Sequence, residues 1–186
     1  VEEDTPMIWR GPMVTQALEQ LLTDTNWKDV DYLIIDLPPG TGDVQLTLCQ
    51  KIPVSGAVIV TTPQDISLID ARKGLKMFEK VEVPVLGIVE NMSTHVCKKC
   101  GHIESIFGEG GGEQLASEAG VKLLGELPLE KQIREEMDKG TPTVSSNPMD
   151  PASLAYREIA RKMTATLSMR KKDYSSAFPK IVIQND

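Results

Sequence analysis

The chain has 186 residues, 40% hydrophobic and 25% charged, with a formal net charge of −7. That is room for one domain with a proper core, and the acidic balance argues against nucleic acid as the main partner, because neutralising phosphate needs clustered Lys and Arg. No apolar run approaches the ~20 residues of a membrane helix and no signal segment opens the sequence, so no membrane association is expected.

The chain begins at Val1, which leaves room for a preceding part. Cys49, Cys97 and Cys100 are too few and too unevenly placed for a disulfide framework. A reducing, cytoplasmic setting fits them, and there a Cys-x-x-Cys pair means metal or redox chemistry.

In chain order, Val1 to Pro6 is an acidic lead-in and Trp9-Arg10-Gly11-Pro12 a turn. Met13, Val14, Ala17, Leu18, Leu21 and Leu22 recur at helical spacing, predicting a helix that ends near Thr25. Trp27 reads as a core edge under the next element. Tyr32–Ile35 is a short apolar run ending in Asp36, which suits a strand buried on both faces of a parallel sheet. Pro38, Pro39, Gly40, Thr41 and Gly42 break it. Asp43 fits the N-cap of a short helix through Ile52, on which Cys49 is a small buried hydrophobe.

Gly56–Thr62 is a second strand, Ile66–Lys80 a helix, and Val83–Val89 a third strand ending in Glu90-Asn91-Met92. A polar insertion from Ser93 to Ile106 holds both histidines and the Cys pair. Phe107–Gly112 reads as a flexible hinge before a helix around Glu113–Glu118, capped by Gly120. Val121–Leu127 is a fourth strand stopped by Pro128, and a helix follows over Glu130–Lys139. Gly140–Pro148 reads as a loop, and Pro151 starts a long helix reaching about Arg170. Arg161, Lys162, Arg170, Lys171 and Lys172 form a solvated basic face; the tail closes on the apolar run Ile181–Ile183. Repeated strand–helix alternation implies an α/β fold: a mostly parallel sheet with helices on both faces.

Three motifs carry chemistry. In open α/β sheets, ligands bind at the carboxyl ends of the strands. Asp36 would stand at that edge, where an acid holds Mg²⁺ beside phosphates, and Gly40 and Gly42 free backbone N–H groups to face an anion. The simpler alternative is an acid that caps its loop. Cys97-Lys-Lys-Cys100 supplies two thiolates, half of a four-ligand set. His95 and His102 could complete a zinc site within one chain, or two chains could each donate a Cys pair to one cluster on a two-fold axis. Spacing alone does not choose between them. Asn91, at a strand tip, could read a base edge through its amide or serve only as a turn residue. Neither Gly-x-Gly-x-x-Gly nor the Gly-x-x-x-x-Gly-Lys-Ser/Thr phosphate loop occurs.

Trp-Arg-Gly-Pro-Met, Ile-Ile-Asp-Leu-Pro-Pro-Gly-Thr-Gly-Asp, Thr-Thr-Pro-Gln-Asp, Glu-Asn-Met-Ser, Cys-x-x-Cys-Gly-His and Ile-Phe-Gly-Glu-Gly-Gly-Gly follow one another here. From about Trp9 to Arg161 this set resembles the Mrp/ApbC family of iron–sulfur P-loop ATPases, relatives of MinD and ParA. The resemblance implies a homodimer that binds ATP and Mg²⁺, bridges a [4Fe–4S] cluster between chains, and passes it from an assembly scaffold to apoproteins. It implies Cys97 and Cys100 as cluster ligands and Asp36 as the Walker B-type acid near Mg²⁺. Gly40, Thr41, Gly42 and Asp43 become the switch that senses the γ-phosphate, with Asp43 counted beside Asp36 as catalytic. Asn91 is implied at the adenine, with Pro128 flanking the base. The rival expectation is a non-catalytic, MinD-like dimerisation scaffold with structural zinc on the Cys loop. The family's phosphate loop and first switch are missing. Residues 1–170 are therefore expected to be the C-terminal part of a single P-loop NTPase domain, incomplete at its N-terminus, with 171–186 as a tail.

Overall fold

The computed structural model describes residues 11–37, 42, 45–46, 48–49 and 52–170. The first element is helix α1 (Gly11–Thr23), where the helical spacing of apolar residues places it. Residues 45–46 and 48–49 are helical, and Cys49 there is buried. The sheet is built from β1 (Ala57–Thr61), β2 (Val85–Glu90) and β5 (Leu123–Glu126), in the order β1-β2-β5. Both pairings are parallel, with Ala57 opposite Val85 and Glu90 opposite both Thr61 and Glu126.

Parallel neighbours need long crossovers. Helix α2 (Asp65–Lys80) connects β1 to β2. The return from β2 to β5 passes through a small hairpin, β3 (His95–Val96) and β4 (Ile103–Glu104), and then helix α3 (Gly111–Ala119). Helices α4 (Lys131–Asp138), α5 (Thr143–Ser146) and α6 (Pro151–Ser168) follow.

β2 is the central strand and is buried along almost its whole length, so it reads as continuous apolar sequence. Its side chains alternate between two cores. Ile88 joins Ile59, Leu68, Leu75, Phe78 and Leu115 under α2 and α3. Val89 joins Leu124 and Leu127 on the opposite face, where Tyr156, Ile159 and Met163 of α6 pack. The helices thus cover both faces, as the alternation predicts.

The ends of these helices follow local chemistry. Asp150 Oδ1 accepts the Ala152 N–H at 2.9 Å, with Pro151 in the first turn of α6. Gly120 ends α3 with φ 64°, and the N–H of Val121 reaches back to the Ala116 carbonyl at 3.0 Å.

Several expectations are corrected. Tyr32–Ile35 is not a strand: the run is irregular, and Ile34 is 72% exposed. A strand needs a hydrogen-bonded neighbour. Among the described residues β1 is an edge strand paired only with β2, and the run joins no ladder. Trp27 is no core edge; it is 46% exposed, and its indole N–H donates to the Leu22 carbonyl, 2.8 Å away. The polar insertion folds into the β3–β4 hairpin. The loop before α6 contains α5, fastened by the Ser153 hydroxyl, which bonds the Thr143 and Asn147 carbonyls. Phe107–Gly112 is not a free hinge, because Gly111 and Gly112 are buried where α3 begins.

Candidate functional site

The carboxyl edge of the sheet gathers the candidate residues that the structure connects. β2 ends in Glu90, which is 1% exposed. Beyond it the chain turns through Asn91 and Met92. The Met92 N–H donates to Asn91 Oδ1 at 2.9 Å, and Met92 takes φ 57°, a conformation that non-glycine residues rarely adopt. The Asn91 N–H is bound to the Thr61 carbonyl at 2.7 Å, which ties the turn to the end of β1. With Oδ1 engaged in the turn, what Asn91 can offer a ligand is its amide N–H pair. Strained turns of this kind concentrate at ligand sites.

Glu90 escapes sequence reasoning as a site residue. Its carboxylate accepts the Gly112 N–H at 2.5 Å, at the start of α3. A Cβ on Gly112 would lie 2.9 Å from Glu90 Cβ, so only glycine allows this approach. Burial pushes the carboxyl above its ordinary range; the Gly112 bond opposes that, and the nearby Glu126 and Glu113 reinforce it. The signal available beforehand was an acid closing an apolar strand, followed by a glycine run ahead of a helix.

From this edge the chain enters the cysteine hairpin. His95 pairs with Glu104 and Val96 with Ile103. The Cys97 N–H donates to the His102 carbonyl at 2.9 Å, and the Gly101 N–H to the Cys97 carbonyl at 2.8 Å. These bonds close a tight loop with Cys97 half-buried and Cys100 exposed. The Lys99 and Cys100 backbone N–H groups, and then the Cys100 thiol, hold the Cys97 thiol below its ordinary range. The loop therefore favours a thiolate, the form that binds metal. Cys49 is the opposite case: burial alone pushes its thiol up.

Among the described residues no three His, Cys, Asp or Glu side chains converge on a metal-sized site. His95 Nδ1 is instead engaged with the Leu129 carbonyl at 2.9 Å. Pro128 lies half-buried between Leu127 and Leu129, both bonded to the segment that leads into the hairpin. Asn91, Pro128 and the two cysteines thus belong to one connected region.

Two of the phosphate-side residues are described. Asp36 is exposed on an irregular segment. Gly42 is also exposed, and its carbonyl accepts the Leu46 N–H at 3.4 Å. Gly40, Thr41 and Asp43, the tail 171–186 and the lead-in 1–10 lie outside the described residues.

The fold is that of the MinD/ParA ATPases. It resembles MinD of Pyrococcus furiosus with a TM-score of 0.59 over 84% of this chain and 59% of that one, at 21% identity. A nucleotide-binding protein from Archaeoglobus fulgidus, solved in complex with ADP, matches with a TM-score of 0.65 and 35% identity over 77% of this chain and 57% of that one. The chain belongs to the ParA family described as NUBPL iron-transfer P-loop NTPase, whose model matches residues 1–164. An iron–sulfur cluster carrier protein of Pseudomonas fragi is 61% identical over 86% of this chain and 55% of its own length. The Escherichia coli protein of the same description is 60% identical over 90% of this chain and 45% of its own length. The mouse iron–sulfur cluster transfer protein NUBPL is 52% identical over 90% of this chain and 52% of its own length. The chain thus spans about half the length of the curated relatives it matches.

Proposed function

We propose that this chain belongs to an ATP-dependent carrier that holds a [4Fe–4S] cluster as cargo and passes it to apoproteins. The observation that carries the reading is the hairpin: the half-buried Cys97 and exposed Cys100 thiols on one tight loop, with no further ligand converging among the described residues. Two cysteines are half of a cluster's usual set. A second copy of the chain completes it, giving a homodimer with the cluster on its two-fold axis. Solvent access suits a cargo that must be received from a scaffold and released.

ATP and Mg²⁺ belong to the same proposal. Asp36 and Asp43 take the metal-side and catalytic roles, Gly40, Thr41 and Gly42 the phosphate-sensing role, and Asn91 and Pro128 the base. The fit is partial. Asn91 presents an amide on a strained turn at the sheet's carboxyl edge, as a base reader needs, whereas Asp36 is exposed on an irregular segment. Among the described residues β1 has a free edge, and the apolar Tyr32–Ile35 run pairs with no strand. A phosphate-loop strand seated beside β1 would bring those parts together. A reducing compartment such as the cytoplasm suits an exposed Cys-x-x-Cys pair.

The test is anaerobic reconstitution with iron and sulfide. An absorbance band near ~400 nm is expected, the mark of thiolate-ligated clusters. Cys97→Ala and Cys100→Ala should each abolish it, and its persistence in both sinks the assignment.

One observation favours a second reading. A metal-bound histidine commonly donates its other ring N–H to a backbone carbonyl, and His95 makes such a bond to Leu129. A structural zinc on the loop predicts one zinc per chain, lost when His95 or His102 is replaced. The carrier predicts one cluster per two chains, its ligation indifferent to His102.

A further inference from the structure

The ladder of the cysteine hairpin is short, with only His95–Val96 facing Ile103–Glu104. A two-stranded ladder of this length does not hold a fixed orientation unaided, so its direction is set at its root. Five bonds join the segment from Glu90 to His95 with the strap Leu127–Leu129. The Leu127 N–H donates to the Glu90 carbonyl at 2.8 Å, the Ser93 N–H to the Leu127 carbonyl at 3.0 Å, and the Leu129 N–H to the Thr94 carbonyl at 2.7 Å. The fourth runs from the Ser93 hydroxyl to the Leu127 carbonyl at 3.2 Å, and the fifth from His95 Nδ1 to the Leu129 carbonyl at 2.9 Å. A carbonyl oxygen only accepts, so Nδ1 carries the proton.

Three of these bonds are backbone bonds that most residues could make. The other two depend on side chains, and of these only the His95 bond starts on the hairpin itself, at its first residue, two positions before Cys97. The strap it grips contains Pro128 and leads from β5 into α4.

We propose that His95 is a positioning residue: its Nδ1–H bond to Leu129 fastens the cysteine hairpin to the strap Leu127–Leu129 and aims the two thiols. A shift of the strap is then passed to the hairpin at its first residue. The bond stands on geometry alone; its effect on cargo rests on the carrier reading above.

The experiment compares the full chain with its His95→Ala, His95→Asn and His95→Gln variants. The Asn amide nitrogen falls near the position of Nδ1, and the longer Gln places its amide nearer Nε2. The first measurement is amide hydrogen exchange in the metal-free protein. Residues 94–103 should exchange about fivefold faster in His95→Ala and His95→Gln, the scale of one lost hydrogen bond. His95→Asn should stay close to the parent, and the thermal midpoint of the other two should fall by no more than ~4 °C, the scale of one lost bond. The second measurement is bleaching of the reconstituted band by a chelator, which should follow the same order.

Equal exchange in all four proteins overturns the proposal. So does faster exchange in His95→Asn matching that in His95→Ala, or a rise spread over the whole chain with a midpoint lowered by more than ~4 °C. Metal lost equally from His95→Asn and His95→Ala would make His95 a ligand and also overturn it. If the parent forms no band, the carrier reading fails, while the exchange order still decides the role of His95.

Discussion

Glu90 is where a single residue tells most about the site. It closes the central strand, is buried, and gives its carboxylate to the Gly112 N–H. Desolvation raises its pKa in the folded chain above its ordinary value. Raised in the fold, it favours the protonated form, so its contribution to stability is fully present below the unfolded pKa. That contribution is lost as pH rises through the folded pKa. Glu90→Gln keeps an oxygen for the Gly112 N–H without the buried charge. We expect the variant to melt above the parent at pH 7, with the difference shrinking as pH falls toward the unfolded value of 4.5. Melting curves across that range check it, and a variant less stable at pH 7 would mean that the carboxylate's bond outweighs its desolvation.

The start of α3 is the element that most changes in meaning once folded. The glycine run before it resembles a hinge in one dimension, yet a Cβ on Gly111 would stand 2.8 Å from Leu68 Cδ1 and 2.9 Å from the Pro63 carbonyl. Leu68 can shift its side chain, but the Pro63 backbone cannot. Alanine gains up to ~1 kcal/mol of helix propensity over glycine in a helix interior, and less in a first turn. Overpacking a tight contact costs about 1–3 kcal/mol, so the clash wins. Gly111→Ala should lower the thermal midpoint by several degrees, whereas a flexible hinge would tolerate it. The contact matters because it seats α3 against the turn after β1, and Gly112 then meets Glu90.

For the molecule as a whole, the described parallel sheet has three strands, with β1 open on one side. Tyr32, Leu33 and Ile34 of the apolar run remain exposed. The 186 residues contain no phosphate loop of the Gly-x-x-x-x-Gly-Lys-Ser/Thr type. We expect this chain by itself neither to hydrolyse ATP nor to bind it tightly, and micromolar binding in calorimetry would refute that. Cluster-loaded protein should contain one cluster per two chains, measured as iron content against subunit mass in solution.

Much of this was legible in one dimension. β1, β2 and β5 follow from short apolar runs, α2 and α6 from helical spacing, and the start of α6 from Asp150 and Pro151. These signals depend on neighbours a few residues away, so sequence alone can carry them. The Cys-x-x-Cys pair is equally local, and the proposal that it is a ligand pair starts from its spacing. Only the tertiary structure decided the rest. Whether Tyr32–Ile35 becomes a strand depends on a partner ladder, which an apolar run does not specify. The Glu90–Gly112 bond spans 22 positions, and the His95–Leu129 bond 34. Both exist because parallel strands bring their carboxyl ends to one edge. No local period records which side chains meet there.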